Sequence, residues 1–92
     1  MTPQPAFLVS PDVVFRELDG EAVLLDLASG RYFGLNGVGT RVWTVLAAGG
    51  NRDDAVAAVA AEFDAAQAEI AADADALISD LLERRLLTRR AP

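Results

Sequence analysis

Apolar and polar positions follow two periods along this chain, and the change from one to the other divides it. From Val13 to Leu35 the apolar residues come in short alternating runs bounded by turn signals, the pattern of half-buried strands. Val13 to Leu18 is predicted as a first strand with Val13 and Phe15 on one face. Asp19-Gly20 follows as a hairpin turn, because glycine accepts a positive φ without a steric penalty. Ala22 to Leu27 is the second strand, with Val23, Leu25 and Leu27 expected inward and Leu24 and Asp26 on the other face. Ala28-Ser29-Gly30 makes a second tight turn. Arg31 to Leu35 is the third strand, with Phe33 and Leu35 on one face and Tyr32 and Gly34 on the other. Together the three runs predict an antiparallel meander. Residues 1–12, which hold three of the four prolines, are expected to form a flexible tail.

From Val38 the period becomes helical. Val38, Val42, Val45 and Leu46 recur at helical spacing with Trp43 beside them, and Gly49-Gly50 ends that helix. Asn51 is a good N-cap, and Asp53 and Asp54 fall in the first turn, so a second helix is predicted to about Phe63. Its apolar stripe is Val56, Val59, Ala60 and Phe63. A third helix is predicted from about Ala66 to Arg85. Ile70, Ala74, Leu77 and Leu81 give it one apolar stripe, and Ile78 and Leu82 extend a second beside it. So broad an apolar face packs against two neighbours or borders a groove. The expected fold class is α+β: a winged helix-turn-helix-like arrangement in which a three-stranded antiparallel sheet is followed by three helices, in a domain of residues 13–90.

Composition narrows what such a domain can do. At 92 residues it is one domain, near the lower limit for a self-sufficient core. Of its hydrophobic residues 18 are Ala, so the larger side chains must do most of the burying. The net charge of −6 opposes a nucleic-acid surface, which needs clustered Arg or Lys. All eight basic residues are Arg, and four of them (Arg84, Arg85, Arg89, Arg90) sit near the C-terminus, where a helix end favours cations. Cys, His and Lys are absent, which removes thiolate, imidazole and Schiff-base chemistry. No catalytic residue, metal or cofactor is therefore expected. Asp53 and Asp54 point in different directions on a helix, and a first-turn position explains them better than paired catalysis. No apolar segment reaches membrane-spanning length and the N-terminus lacks the pattern of a signal peptide, so no membrane partner is expected and the cytoplasm is the expected compartment.

What remains is binding. Arg31, Tyr32, Phe33, Gly34 and Leu35 can lie at a sheet edge, and an edge strand is a template for another chain; it is equally an ordinary edge protected by its short length. Ile78 and Leu82 either line pockets or join the core. Asp73 and Asp75 either meet a basic or polar group or form a solvated helix face. Tyr32 flanks a channel or covers the sheet. Trp43 fits the core better than a stacking site.

The order Leu25-Asp26-Leu27, Gly30-Arg31-Tyr32-Phe33, Leu35-Asn36-Gly37-Val38-Gly39 and Val42-Trp43, followed by Asp73, Leu77-Ile78, Leu81 and Leu86-Leu87, resembles the PqqD-like family. These are the leader-peptide recognition domains (RiPP recognition elements) of ribosomally made, modified peptides. The resemblance covers Val13 to Leu87. The run from Tyr32-Phe33 through Val42-Trp43 is most similar to the stand-alone leader-binding proteins of lasso-peptide biosynthesis. This chain departs from the family in two places. Arg85 stands where the family often has Gly before the final Leu pair, so the last helix is expected to end later or less sharply. Gly34 offers no side chain and leaves its backbone more accessible.

The resemblance implies non-catalytic binding. The leader region of a precursor peptide would add as an antiparallel strand beside the third strand, against the last helix, for delivery to a leader peptidase and possibly a cyclase. It implies a peptide-binding set of Arg31, Tyr32, Phe33, Gly34, Leu35, Asp73, Asp75, Ile78 and Leu82. A peptide chaperone of a radical-SAM quinone-cofactor pathway is the alternative within the family. A winged-helix DNA-binding regulator is the alternative outside it, opposed by Asp73, Asp75, Asp80 and Glu83 on the last helix. An acyl carrier protein is rejected, because Ser79 precedes Asp80 inside a helix instead of lying in an Asp-Ser-Leu attachment site.

Overall fold

A hairpin turn at Asp19-Gly20 sets the geometry of the main sheet. The computed structural model describes residues 6–90. Its elements run β1 (Phe7–Val9), β2 (Val13–Leu18), β3 (Glu21–Asp26), β4 (Arg31–Gly34), α1 (Gly37–Ala47), α2 (Arg52–Glu62), α3 (Gln67–Glu83) and β5 (Leu87–Arg89). Strands β2, β3 and β4 form the antiparallel meander in that order, and β1 pairs with β5 in a separate two-stranded sheet. The α+β class and the order of three strands before three helices are as the sequence predicts. Among the described residues, no helix is long and apolar enough to cross a membrane.

Asp19 and Gly20 both take positive φ, 54° and 81°, as a two-residue hairpin turn of this hand requires. Leu18 is thereby placed opposite Glu21, and Phe15 opposite Leu24. Leu24 in turn lies opposite Phe33. Val13, Phe15, Ala22, Leu24 and Phe33 therefore share the face that meets the helices. The expected facing of the second strand is corrected: Ala22 and Leu24 are fully buried, whereas Val23 and Leu27 are exposed. A one-residue change of facing moves every side chain of a strand to the other side. The turn fixes that parity whatever the number of apolar residues on each face. The outer face consequently carries exposed Val14, Leu18, Val23 and Tyr32, with Leu25 half-buried among them.

The core lies between the inner face and the helices. Trp43 of α1 is fully buried, and the Phe15 ring meets it edge-on at 5.4 Å between centroids. Val42 and Leu46 join it from α1, Val56 and Val59 from α2, and Ile70, Ala74, Ile78 and Leu81 from α3. Full burial of a Leu, Ile or Val side chain contributes about 1.5–3 kcal/mol. Helix α2 opens on a capping box, in which the Asn51 side chain accepts from the Asp54 N–H and the Asp54 side chain accepts from the Asn51 N–H.

Both chain ends differ from expectation. Phe7–Val9, within the expected tail, is a strand paired with Leu87–Arg89, and the Phe7 ring is buried. Its partner lies at the opposite end of the chain, so no local pattern announces it. Residues 1–5 of that expected tail lie outside the described residues. Helix α3 stops sharply at Glu83 instead of running on. The Arg85 and Leu86 N–H groups donate to the Leu82 and Leu81 carbonyls at 3.1 and 3.0 Å, a Schellman stop. Arg85 occupies its left-handed position, with φ 61°, where glycine is the usual residue. The backbone bonds and the burial of Leu86 and Leu87 impose the stop even without the glycine.

Candidate functional site

Strand β4 is paired on one side only; among the described residues its other edge faces no strand. The direction of its backbone groups follows from one bond. The Leu35 N–H donates to the Ala22 carbonyl at 2.8 Å. Antiparallel ladders alternate, so Arg31 and Phe33 also bond toward β3. Tyr32 and Gly34 therefore present their N–H and C=O groups to the open edge.

Three residues fix how the chain leaves that strand. The buried Thr40 hydroxyl accepts the Ala22 N–H at 2.7 Å and donates to the Leu35 carbonyl at 3.3 Å, in the place of the next ladder bond. The Asn36 Oδ1 accepts the Gly39 N–H at 2.8 Å and caps α1. A Cβ on Gly39 would stand 3.2 Å from the Asn36 Oδ1, tighter than an ordinary contact, and 3.5 Å from Leu35 and Leu77, so a glycine there leaves the cap uncrowded. Gly34 is the opposite case: a Cβ there would meet nothing within 4 Å.

Between this end of β4 and α3 lies an open hollow of about 400 Å³. Leu35, Val38, Val42 and Leu77 give it apolar walls, and Gly34, Asn36, Gly39 and Asp73 complete it. Asp73 is the one charged residue of that lining; its side chain has no hydrogen-bond or ion-pair partner among the described residues. Further along, the Arg84 guanidinium lies 4.9 Å from the centre of the Phe33 ring. Arg84 also donates to Asp80 at 3.0 Å.

The candidate set divides across the two sides of α3. Arg31, Tyr32, Phe33, Gly34 and Leu35 lie along β4 and its exit, and Tyr32 is the most exposed large apolar side chain among the described residues, at 72%. Asp73 joins them at the hollow. Asp75 and Leu82 border a different hollow of about 440 Å³, toward Phe7, Arg52 and Arg89. Arg52 donates to both Asp75 oxygens at 2.8 and 3.0 Å, and these hydrogen bonds hold the Asp75 carboxyl below its ordinary value. Ile78 is core, 5% exposed. Ile78 and Leu82, expected as the groove wall beside the third strand, line the second hollow, and Leu77 lines the one beside β4. Leu77 and Ile78 are 100° apart on a helix, and either phase gives an unbroken apolar stripe. The spacing puts Leu77 in one apolar stripe with Ile70, Ala74 and Leu81. Val38, Asn36 and Gly39 signal only a helix and the family pattern, and Thr40 carries no local signal at all.

Residues 21–87 match the family described as Coenzyme PQQ synthesis protein D (PqqD). Two solved structures are similar to the whole domain. TbiB1 in complex with the TbiA(beta) leader peptide is 34% identical and superposes with a TM-score of 0.80, covering 91% of this chain and 98% of that one. Lasso peptide synthetase B1 complexed with the leader peptide is 25% identical with a TM-score of 0.80, covering 90% of this chain and 98% of that one. No curated protein matches the chain.

Proposed function

The chain belongs to the PqqD family, and from that premise we propose that it binds the leader region of a ribosomally made precursor peptide, without catalysis, in lasso-peptide biosynthesis. One observation carries this reading: an unpaired edge strand stands beside an apolar hollow, in a chain 34% identical to a protein solved with a leader peptide. The leader adds antiparallel to β4 and exchanges backbone hydrogen bonds with Tyr32 and Gly34. Its apolar side chains rest against Leu35, Val38 and Leu77. Asp73 meets a polar or basic group at the hollow, whereas Asp75, Ile78 and Leu82 support α3 from its other side. A net backbone hydrogen bond contributes only ~1 kcal/mol, so apolar anchors supply most of the affinity. The expected Kd lies between micromolar and nanomolar, roughly −8 to −12 kcal/mol.

The bound leader is then presented to separate enzymes, a leader peptidase and a cyclase, in the cytoplasm where precursors are translated. The lack of Cys, His and Lys supports a role without chemistry of its own. The family description favours a second reading, a chaperone for the precursor of a quinone cofactor. Fluorescence anisotropy separates the two, with the TbiA(beta) leader as the lasso probe and a quinone-cofactor precursor as its rival. Saturable binding of the lasso leader with its mass unchanged is the expected result. Binding of neither peptide, or cleavage of either by the isolated protein, would overturn the proposal.

A further inference from the structure

We infer that the groove between β4 and α3 is charge-polarised and selects a peptide strand with a basic residue at its N-terminal end and an acidic residue four positions later. This rests on the reading of β4 as the docking edge and concerns which peptides the edge takes, and in which direction. Asp73 marks one end of the groove, beside Gly34 and Leu77. Its carboxylate is exposed and has no partner among the described residues. Arg31 marks the other end. It lies on the same face of β4 as Phe33 and Leu35, is exposed, and makes no ion pair among the described residues. Arg84, stacked near Phe33, adds to the positive potential there, although Asp80 already takes one of its donors.

The two walls match in length. Asp73, Leu77 and Arg84 share one side of α3, and eleven residues at 1.5 Å rise span about 16 Å. Arg31 to Leu35 covers four residues of extended chain, about 14 Å. An antiparallel strand begins opposite Leu35 and ends opposite Arg31. Its side chains toward α3 are then the first, third and fifth. The first meets Asp73, the third packs between Phe33 and Leu77, and the fifth meets Arg31. The selected pattern is basic-x-apolar-x-acidic, read from N to C. A strand in the reverse direction, or with its charges exchanged, sets like against like at both ends. Each exposed pair shifts affinity by about two- to fivefold, and exchanging both ends by roughly tenfold or more.

The test is selection of a phage-displayed library of random 16-residue peptides on the wild-type protein, Asp73→Lys and Arg31→Glu. Both positions are exposed, so both variants should fold, which circular dichroism checks. On the wild type the basic-x-apolar-x-acidic pattern should be enriched. Asp73→Lys should convert only the first position to acidic, and Arg31→Glu only the fifth to basic. A selected peptide should bind the wild type about tenfold more tightly than its charge-exchanged version, and should lose binding to Gly34→Pro. Peptides enriched with the same pattern on all three proteins, or with no charge preference, would overturn the polarity while leaving β4 as a docking edge. If no peptide is enriched on any of the three, the docking edge and the polarity both fall.

Discussion

The two sides of α3 carry similar residues in opposite states. On the β4 side stand Asp73 and Leu77, one turn apart: a carboxylate without a partner above a half-buried leucine, both bordering an open hollow. On the far side stand Asp75, Ile78 and Leu82. There Arg52 clamps the carboxylate with two hydrogen bonds, and the isoleucine is inside the core. Both sides read alike in composition. They differ in whether the fold has already supplied the partner. A polar or apolar group satisfied within the chain stabilises it, and one left unsatisfied at the surface can meet a ligand instead. Variants that treat the two sides equally should therefore give unequal results.

The largest effect should come from placing a charge on each side. Ile78→Asp buries a carboxylate without a partner, which costs at least ~3 kcal/mol. A 92-residue domain has only about 5–14 kcal/mol of stability in total. The variant should be unfolded or melt far below the wild type by circular dichroism. Leu77→Asp should remain folded, because its side chain already reaches the hollow. It should weaken leader binding by ~2 kcal/mol or more, roughly thirtyfold. A folded Ile78→Asp that loses binding, beside a Leu77→Asp that binds as wild type, would reverse the assignment of sides.

Next is the edge itself. Gly34→Pro removes an N–H that points away from β3 and sets a ring in its place. The ladder to β3 does not use that donor, and space around Gly34 is open. Stability should change by less than ~1 kcal/mol, while leader binding falls by roughly ten- to thirtyfold from the lost bond and the blocked approach. Phe33→Pro is the contrasting variant. It removes a donor that faces β3 and should destabilise the sheet itself. A larger loss of stability in Gly34→Pro than in Phe33→Pro would show that the alternation of backbone groups along β4 is the reverse of that deduced from Leu35.

These contrasts also mark what was legible in the chain. Features set by neighbours in sequence were legible: the turns at Asp19-Gly20 and Gly30, the Asn51 cap, the stop at Gly49 and the buried Trp43. Facing was not, because it is a matter of phase. Val23 and Leu25 against Leu24, and Leu77 against Ile78, are each pairs of apolar neighbours among which periodicity cannot choose. For β3 the choice was recoverable: a two-residue turn after Leu18 forces Leu24 opposite Phe15, on the face that Phe15 shares with Val13. For α3 no comparable register exists, since packing against α1 and α2 sets its rotation. The β1–β5 pairing joins the two chain ends and leaves no trace in either segment. The open edge of β4 was legible as a possibility, and of the α3 residues that line the hollow beside it Asp73 was legible and Leu77 was not.

A smaller effect should separate stability from binding altogether. Arg85 sits in the left-handed region at the C-terminal stop of α3, a conformation that disfavours side chains by about 1 kcal/mol and is free of that penalty for glycine. The matching stop of α1 has Gly49 at that position, with φ 100°. Arg85→Gly should therefore stabilise the protein by ~1 kcal/mol, raising the melting temperature by about 4–8 °C. Leader affinity should not change, because Arg85 borders neither hollow beside α3. A rise in affinity along with stability would mean that the groove is not preformed but orders with the helix end.

The smallest effect concerns the clamp on Asp75. Its hydrogen bonds from Arg52 lower the carboxyl below the ordinary value of 3.8. A group whose folded value is depressed contributes stability above its unfolded value and loses it as the pH falls through the folded one. The Arg52–Asp75 pair should thus help the fold slightly at neutral pH, help less as the pH falls below 3.8, and stop helping below the depressed folded value. Both side chains are substantially exposed, so solvent screening keeps the contribution small. Denaturant melts of wild type and Asp75→Asn should differ a little at pH 7 and converge as the solution is acidified. Leader binding by Asp75→Asn should equal that of wild type at neutral pH, since the clamp faces away from β4. A gap that widens on acidification would contradict the direction of the shift. A loss of binding with stability unchanged would place the leader on the far side of α3, against the division drawn from Asp73 and Leu77.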